Sequence, residues 1–329
     1  MKRVVFSYNF LLCILLGILA AVIIGWKMPR QKNEYIHVGI AVYNMGDTYM
    51  QNYVEHLQDA MDGYDFSGKK VLYEILDAEG NLNRQKKQFQ YMCSQNFDVL
   101  FINLVKTTSA ANVLNEAADL NIPVILFNRE PDAKDLRISD HIWYVGTDAK
   151  AAGAIQGDML TNIWKEQREE VDRNKNGKLD YVLVEGEITH FDSIRRTNGF
   201  LENSKSINLN QLENLSADWK RELAYDLFGE LEKEIIENAE AVVCHNDNMA
   251  LGIYDYYESE KMAVPLILGI NNDSELNRKI ESGEIYGTVD NDMEKQAAYI
   301  CDLLDGILKG QTKDFEKVWY SKPYAVSQS

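Results

Sequence analysis

Residues 98–128 have the sequence DVLFINLVKTTSAANVLNEAADLNIPVILFN, and this stretch decides the fold. Two short apolar runs, 98–102 and 123–127, flank a segment with helical spacing from Thr107 to Leu120. A strand, a helix and a second strand of this kind are the unit of a parallel sheet that helices cover on both faces. The stretch therefore predicts an α/β fold with a parallel sheet.

The same alternation runs from Tyr35 almost to the end of the chain. Further runs interpreted as strands lie at 37–43, 71–76, 143–145, 181–185, 241–244, 266–270 and 285–289, with helical patterns at 148–165, 193–203 and 217–237. One sheet does not hold this many units comfortably, so we predict two similar doubly wound lobes. Glu130–Pro131 ends a strand before polar, irregular sequence, which predicts the first crossing between the lobes there.

Composition and cysteine usage exclude several classes of protein. The 329-residue chain has a net charge of −17, so it does not offer the basic surface that binding to nucleic acid or to an anionic membrane surface requires. Cys13 lies in the apolar N-terminal segment, and Cys93, Cys244 and Cys301 lie in apolar helix or strand patterns. We interpret these last three as buried free thiols and not as a disulfide framework.

The N-terminal segment has the pattern of a membrane anchor. Lys2 and Arg3 precede an apolar stretch from Phe10 to Trp26, near the ~17-residue lower limit for crossing a bilayer. The positive flank places everything after Lys27 outside the cell. The end of the apolar stretch is a poor cleavage site, so we favour an uncleaved signal anchor. The alternative is a cleaved signal and a secreted or periplasmic protein.

Polar side chains follow five of the predicted strands. They are Asn103, Asn128, Asn246, Asn271 and Asn291. Ligands bind beyond the carboxyl ends of the strands in sheets of this type. An amide both donates and accepts hydrogen bonds, as does each hydroxyl of a polyhydroxylated ligand. The strand ends therefore predict a binding site for such a ligand.

A catalytic site is not evident in the sequence. There is no Gly-x-Ser-x-Gly nucleophile motif, the five histidines lack metal-ligand spacing, and no glycine fingerprint follows the first strand. We therefore predict a binding protein and not an enzyme. A glycosidase is a distant alternative, because sequence cannot select a carboxylate pair from 51 acidic residues.

Residues 172–180, DRNKNGKLD, match the front of a calcium-binding EF-hand loop. Oxygen-bearing side chains occupy the first, third, fifth and ninth positions, which are Asp172, Asn174, Asn176 and Asp180. Gly177 takes the sixth position, and Lys178 contributes only its carbonyl at the seventh. The glutamate of the twelfth position is missing, since Leu183 stands there in an apolar run. The loop is either a polar hairpin or a site completed by a distant carboxylate.

From about Tyr35 to Tyr324 the chain resembles the periplasmic D-galactose/D-glucose-binding proteins, the substrate-binding components of sugar ABC transporters. The matching segments are 42–50, 102–105, 127–131, 144–148, 155–158, 186–196, 246–249 and 287–292. The resemblance implies the type I periplasmic-binding-protein fold, with three hinge crossings between two lobes that close on a monosaccharide. We expect an anchor and linker at 1–34, an N-terminal lobe of 35–129 with 292–316, and a C-terminal lobe of 130–291 with 317–329.

The resemblance also implies the sugar-binding residues. The set is Asp47, Tyr49, Asn103, His190, Asp192, Arg196, Trp219, Asn246, Asn271 and Asn291. Tyr49 and Trp219 would stack on opposite faces of the ring. The others would bind hydroxyls, with Arg196 paired to Asp192. Asn271 departs from the family, which generally has Asp there, so the identity of the sugar is open.

The same resemblance supplies the missing calcium ligand. It implies that Glu240, six residues before Asn246, completes a structural Ca²⁺ site with the loop. The expected function is delivery of a glucose-like or galactose-like sugar to the membrane permease of an ABC transporter. The alternative is a membrane-tethered sugar sensor that signals to a histidine kinase or chemoreceptor. A DNA-binding repressor with the same lobes is disfavoured, because an apolar segment stands where its basic domain would be.

Overall fold

The computed structural model describes residues 34–328. The predicted membrane anchor, from Phe10 to Trp26, lies outside these residues. Within the described range, none of the helices combines the length and the apolar character that a membrane span needs. Cys93, Cys244 and Cys301 are buried free thiols, as predicted.

Strands and helices alternate along the described chain. The strands are β1 Tyr35–Val42, β2 Lys70–Asp77, β3 Val99–Ile102, β4 Val124–Phe127, β5 Ile142–Thr147, β6 Leu179–Glu185, β7 Leu209–Ser216, β8 Ala241–Cys244, β9 Leu266–Leu268, β10 Gly287–Asp290, β11 Val318–Ser321 and β12 Tyr324–Ser327. The α-helices are α1 Thr48–Gly63, α2 Leu82–Ser94, α3 Ala111–Asp119, α4 Ala149–Glu166, α5 Arg168–Val171, α6 Phe191–Asn203, α7 Arg221–Gly229, α8 Lys233–Asn238, α9 Asp247–Ser259, α10 Ser274–Glu281 and α11 Met293–Lys309. Short 3₁₀ turns lie at Thr107–Ser109 and Asp135–Arg137.

The strands form two six-stranded sheets, one in each lobe. The first sheet has the order β11-β5-β4-β3-β1-β2, and the second has the order β12-β10-β9-β8-β6-β7. All neighbours are parallel except β10 and β12. Each sheet carries a separate apolar core on each face, which explains why β3, β4 and β8 are apolar and buried along their whole length. The prediction of two doubly wound lobes is confirmed.

The chain crosses between the lobes three times. The crossings follow β5, follow β10, and lie between β11 and β12. The first crossing was predicted at Glu130–Pro131, and that prediction is wrong. After Pro131 the chain makes a polar loop that buries Leu136, then returns to add β5 beside β4. Residues 130–147 and 317–321 therefore belong to the first lobe and not to the second.

Three edge strands, β7, β11 and β12, were missed in the sequence. β7, with the sequence LNQLENLS, pairs only with β6, and a register shift interrupts the pairing. Because an edge strand is only partly covered, it needs no apolar run. The helix predicted from 217 to 237 is in fact two short helices, α7 and α8.

Gln296, at the start of α11, joins the three crossings. Its Nε2 lies 2.8 Å from the Thr147 hydroxyl, 2.7 Å from the Asn291 carbonyl and 3.0 Å from the Ser321 hydroxyl, one residue from each crossing. Its Oε1 accepts a 3.0 Å bond from the Tyr53 hydroxyl. Gln296 is 1% exposed, so water cannot replace these bonds.

Replacing Gln296 by leucine is expected to destabilise the protein by about 1–3 kcal/mol, because buried carbonyl and hydroxyl groups lose their donor. Urea unfolding measures this change. Gln90→Leu, at an exposed position of α2, is the control and is expected to change stability by less than about 0.5 kcal/mol. Equal effects of the two substitutions would argue against a stabilising role for Gln296 at the crossings.

Candidate functional site

A cavity of about 40 Å³ lies between the lobes, beyond the carboxyl ends of the strands. It is lined by Tyr43, Asp47, Tyr49, Asn128, Arg129, His190, Asp192, Arg196, Trp219, Asn246 and Asn271. The order in which strands are added to the sheet changes direction between β1 and β3 in the first sheet and between β6 and β8 in the second, and the loops after β1 and β6 supply residues on opposite walls. The loops after β1 and β6 are far apart in the sequence and meet only in the folded protein.

The first-lobe wall is built around the start of α1. Asp47 is the N-cap, and its Oδ1 accepts the Tyr49 amide at 3.0 Å. Its Oδ2 accepts the hydroxyl of Tyr43. Burial raises the pKa of the Asp47 carboxyl. Additional hydroxyl donors from a ligand would favour the ionised form, so the carboxylate is suited to accept hydrogen bonds.

The second-lobe wall is built around the start of α6. His190 is the N-cap, and its Nδ1 accepts the Asp192 amide at 3.2 Å. Burial, reinforced by the charge of Arg129, lowers the pKa of His190 to about 3. The imidazole is therefore neutral at pH 7, and with Nδ1 accepting, its Nε2 carries the proton and is a donor.

Asp192 and Arg196 do not form the predicted ion pair within 4.0 Å among the described residues. The Arg196 guanidinium instead donates to the His245 carbonyl and lies 5.5 Å from the Trp219 ring centre. Burial raises the pKa of Asp192, and the charge of Arg196 opposes that rise. The Asp192 carboxylate is thus not tied to Arg196, and both face the cavity.

Trp219 is held in an unusual backbone conformation. Asp218 and Trp219 have φ angles of 48° and 66°, in the left-handed region that non-glycine residues rarely adopt. The Asn246 amide donates to the Trp219 carbonyl at 3.0 Å, while its Oδ1 caps α9 by accepting the Met249 amide at 2.9 Å. The indole lies against Gly186, where a side chain would collide with the ring. Asn246 therefore positions Trp219 as well as lining the cavity.

Several buried polar atoms around the cavity lack a hydrogen-bond partner within the described protein. They are His190 Nε2, Arg196 Nε and Trp219 Nε1. A buried polar group without a partner costs about 1–3 kcal/mol, so three such atoms around one cavity indicate a polar ligand.

Two of the ten predicted residues do not line the cavity. Asn103 is fully buried and braces the first sheet, since its Oδ1 accepts the Tyr43 amide at 3.1 Å and its Nδ2 donates to the Phe127 carbonyl at 3.2 Å. Asn291 lies behind Asn271, to whose Oδ1 it donates at 2.9 Å. Both follow strands, and their positions in the chain do not distinguish bracing from ligand contact.

Two lining residues, Tyr43 and Arg129, were not predicted from the sequence, and Asn128 was singled out only as a polar residue at the end of a strand. The Arg129 guanidinium stacks on the Tyr43 ring at 3.9 Å, donates to the Val105 carbonyl at 2.9 Å and pairs at 2.8 Å with Glu187 of the second lobe. The available signal was the polar pair 128–129 directly after the apolar strand β4.

The loop 172–180 and Glu240 come together at the opposite end of the second sheet from the cavity. Glu240 directly precedes β8, and its carboxylate accepts the amides of Arg173 at 2.6 Å and Asp180 at 3.0 Å. The Asn174 and Asn176 side-chain amides both donate to Asp180 Oδ2 at 2.7 Å. Asp172, Asp180 and Glu240 are all more than nine-tenths buried. The loop is thus neither isolated from Glu240 nor a plain hairpin.

The residues of this loop fit a hard cation. Asp172 Oδ1 is buried without a hydrogen-bond partner in the described protein, and three buried carboxylates in one place are costly without a positive charge. Rotating the side-chain amides of Asn174 and Asn176 by 180° would place their oxygens, in place of their nitrogens, toward the site. By His, Cys, Asp and Glu side chains alone, however, residues 34–328 contain no cluster of three or more with the arrangement of a metal site.

Comparison with known proteins agrees with this architecture. The model of a family described as "periplasmic binding protein domain" matches residues 38–312. The chain is 30% identical to the D-galactose/methyl-galactoside binding periplasmic protein MglB of Haemophilus influenzae, over 88% of this chain and 86% of that protein. It is 24% identical to a putative rhizopine-binding protein of Rhizobium meliloti, over 90% and 91% of the two chains. The crystal structure of a galactofuranose binding protein superposes with a TM-score of 0.76 at 23% identity, covering 89% of this chain and 95% of that one.

Proposed function

Because the chain belongs to the periplasmic binding protein family, we propose that it captures a monosaccharide between its two lobes for an ABC transporter. The family consists of binding proteins, and the chain is not an enzyme. The observation that carries the proposal is the set of unpartnered donors around one inter-lobe cavity that is also lined by the carboxylates of Asp47 and Asp192. The membrane anchor stays a prediction.

The cavity offers each hydroxyl of a sugar both kinds of partner. Asp47 and Asp192 are acceptors, while His190 Nε2 and Arg196 Nε are donors. Trp219 and Tyr49 present ring faces that can cover the apolar C–H patches of a sugar. The lining thus supports a neutral, polyhydroxylated ring.

A glucose-like or galactose-like sugar is the proposed ligand. MglB of H. influenzae, at 30% identity, is named for D-galactose and methyl-galactoside. Asn271, where the resembled family generally has Asp, lines the cavity and accepts the Asn291 amide. An amide here lacks the charge-assisted bonds of a carboxylate, which are about twice as strong as neutral ones. A ligand that places a hydrogen-bond acceptor near the Asn271 amide is therefore favoured over one that needs a third carboxylate there, beside Asp47 and Asp192.

Closure of the lobes provides the proposed signal to the transporter. Arg129 of the first lobe pairs with Glu187 of the second, and Arg195 of the second pairs with Glu130 of the first. A ligand that contacts both walls stabilises the state in which these pairs form. The permease would recognise that state.

Calorimetric titration of the purified protein with glucose, galactose, xylose and arabinose tests the proposal. We expect at least one sugar to bind, and Asp192→Ala to weaken it roughly 10- to 100-fold, because a charge-assisted hydrogen bond contributes about 1.5–3 kcal/mol. Asp226→Ala, at an exposed position of the same lobe, is the control. Absence of binding to all four sugars would refute the proposal.

A role in transport is distinguished from a role in sensing by which partner protein responds to the sugar-loaded form. Sugar-loaded protein is expected to stimulate the ATPase of a reconstituted sugar permease. Stimulation of a histidine kinase with no effect on a permease would instead support the sensor alternative.

We also propose that the loop 172–180 with Glu240 holds a structural Ca²⁺. The side-chain oxygens of Asp172, Asn174, Asn176, Asp180 and Glu240 and the Lys178 carbonyl would coordinate it. The ion would supply positive charge to the buried carboxylates and no chemistry. The convergence of these carboxylates and the unpartnered Asp172 Oδ1 support this proposal.

A further inference from the structure

The inter-lobe cleft continues outward from the inner cavity into a much larger space. This outer cleft measures about 680 Å³, against about 40 Å³ for the inner cavity. Tyr43, Asp47, Arg129 and Trp219 line both, so the two spaces are continuous. An inner cavity of about 40 Å³ holds roughly three water molecules. A ligand as large as a sugar ring therefore extends into the outer cleft.

Contacts between the lobes bound the outer cleft. The Arg129–Glu187 ion pair, at 2.8 Å, is one such contact. The side chains of Thr48 and Asn248 form another, at 3.2 Å. All four residues line the outer cleft. Because the lobes already touch at both places, further approach of the lobes does not remove the space between them.

The lining of the outer cleft suits a neutral, hydroxylated group. Tyr43 and Trp219 contribute aromatic rings from the two lobes, and the Arg129 guanidinium, stacked on Tyr43 at 3.9 Å, forms a flat surface with donors at its edge. Acidic side chains in the lining outnumber basic ones by seven to four. This balance disfavours phosphate or carboxylate groups. The mixture of carboxylates and cationic donors matches hydroxyls, which accept and donate.

We propose that the outer cleft binds a second sugar residue, so that the protein takes a neutral disaccharide as well as a monosaccharide, with the terminal ring held at the inner cavity and its mouth. This inference rests on the proposed sugar-binding function and adds to it a second subsite. Arg129 and Trp219 lie where the two subsites meet, so the glycosidic bond lies beside them.

Calorimetry with two sets of probes tests the inference. One set is glucose and galactose, and the other is lactose, melibiose, cellobiose and maltose. We expect at least one disaccharide to bind as tightly as the monosaccharide of its terminal ring, or more tightly. If every disaccharide binds at least tenfold more weakly than the monosaccharide, the second subsite is refuted and the proposed function stands. If no sugar binds, both fall.

A substitution confined to the outer cleft gives an independent test. Lys106 is exposed and lines the outer cleft but not the inner cavity, so Lys106→Trp fills the outer cleft from the first lobe. We expect at least a tenfold loss of disaccharide affinity, with monosaccharide affinity changed less than twofold. Lys86→Trp, at an exposed position of α2, is the matched control. Equal losses for both classes of sugar, or none for either, would overturn the inference.

Discussion

Replacing Gly186 by alanine is expected to weaken sugar binding at least tenfold, although residue 186 does not line the cavity. A Cβ at this position would lie far inside van der Waals contact with three ring atoms of Trp219. The indole must therefore move, or its backbone, already in the left-handed region, must rearrange. Since Trp219 is the proposed stacking platform, loss of its position removes contact from the sugar face. Calorimetric titration with the sugar that the unmodified protein binds measures the loss.

A double-mutant cycle tests whether Gly186→Ala weakens sugar binding through Trp219. Trp219→Ala alone is expected to cost about 2 kcal/mol or more, roughly 30-fold in affinity. Adding Gly186→Ala to that variant is expected to cost nothing further, because the ring that the new methyl group displaces is gone. Gly63→Ala, at a glycine with open space around its Cβ position, is the control. Additive losses from the two substitutions would show that Gly186 acts independently of Trp219.

Removal of calcium is expected to produce the largest loss of stability. If Ca²⁺ is present at 100 times its dissociation constant, it stabilises the protein by about 2.7 kcal/mol. A folding unit of this size loses about 2–4 °C in thermal midpoint for each kcal/mol, so chelation is expected to lower the midpoint by about 5–10 °C. Differential scanning calorimetry with and without EGTA measures this shift.

Two substitutions in the loop make the test specific. Asp172→Ala removes a proposed ligand whose Oδ1 has no other partner in the described protein, and it is expected to abolish the response to chelator. Lys178→Ala keeps the proposed carbonyl ligand, and its exposed side chain has no role in the site, so the response is expected to persist. An unmodified protein with the same midpoint in Ca²⁺ and in EGTA would contradict the calcium proposal while leaving the sugar site untouched.

Some of the candidate site could be read from short segments. His190, Asp192 and Arg196 lie within two turns at the start of α6, so their spacing alone places them together. The loop 172–180 likewise carries its own oxygen ligands at fixed intervals. In both cases the interacting residues are near neighbours in the chain, and local geometry decides their arrangement.

Other residues have a role that depends on distant partners. Asn103 and Asn128 both follow apolar strands. The side chain of Asn103 hydrogen-bonds to backbone groups of β4 and of the loop after β1, whereas Asn128 lines the cavity. Arg129 lines the cleft and pairs there with Glu187, which comes from the other lobe. The sequence of these short segments does not predict which polar atoms lack a hydrogen-bond partner once the sheets have assembled.

By itself, the sequence determined the two-lobe α/β fold, because strands buried on both faces must be apolar and the helices between them must be amphipathic. The tertiary structure alone decided that the first crossing follows Thr147 and not Pro131, because a strand joins whichever sheet edge buries it best. It also decided that Gln296 links all three crossings and that Gly186 supports Trp219. These contacts join residues far apart in the chain, and their energies depend on packing between elements that no local pattern encodes.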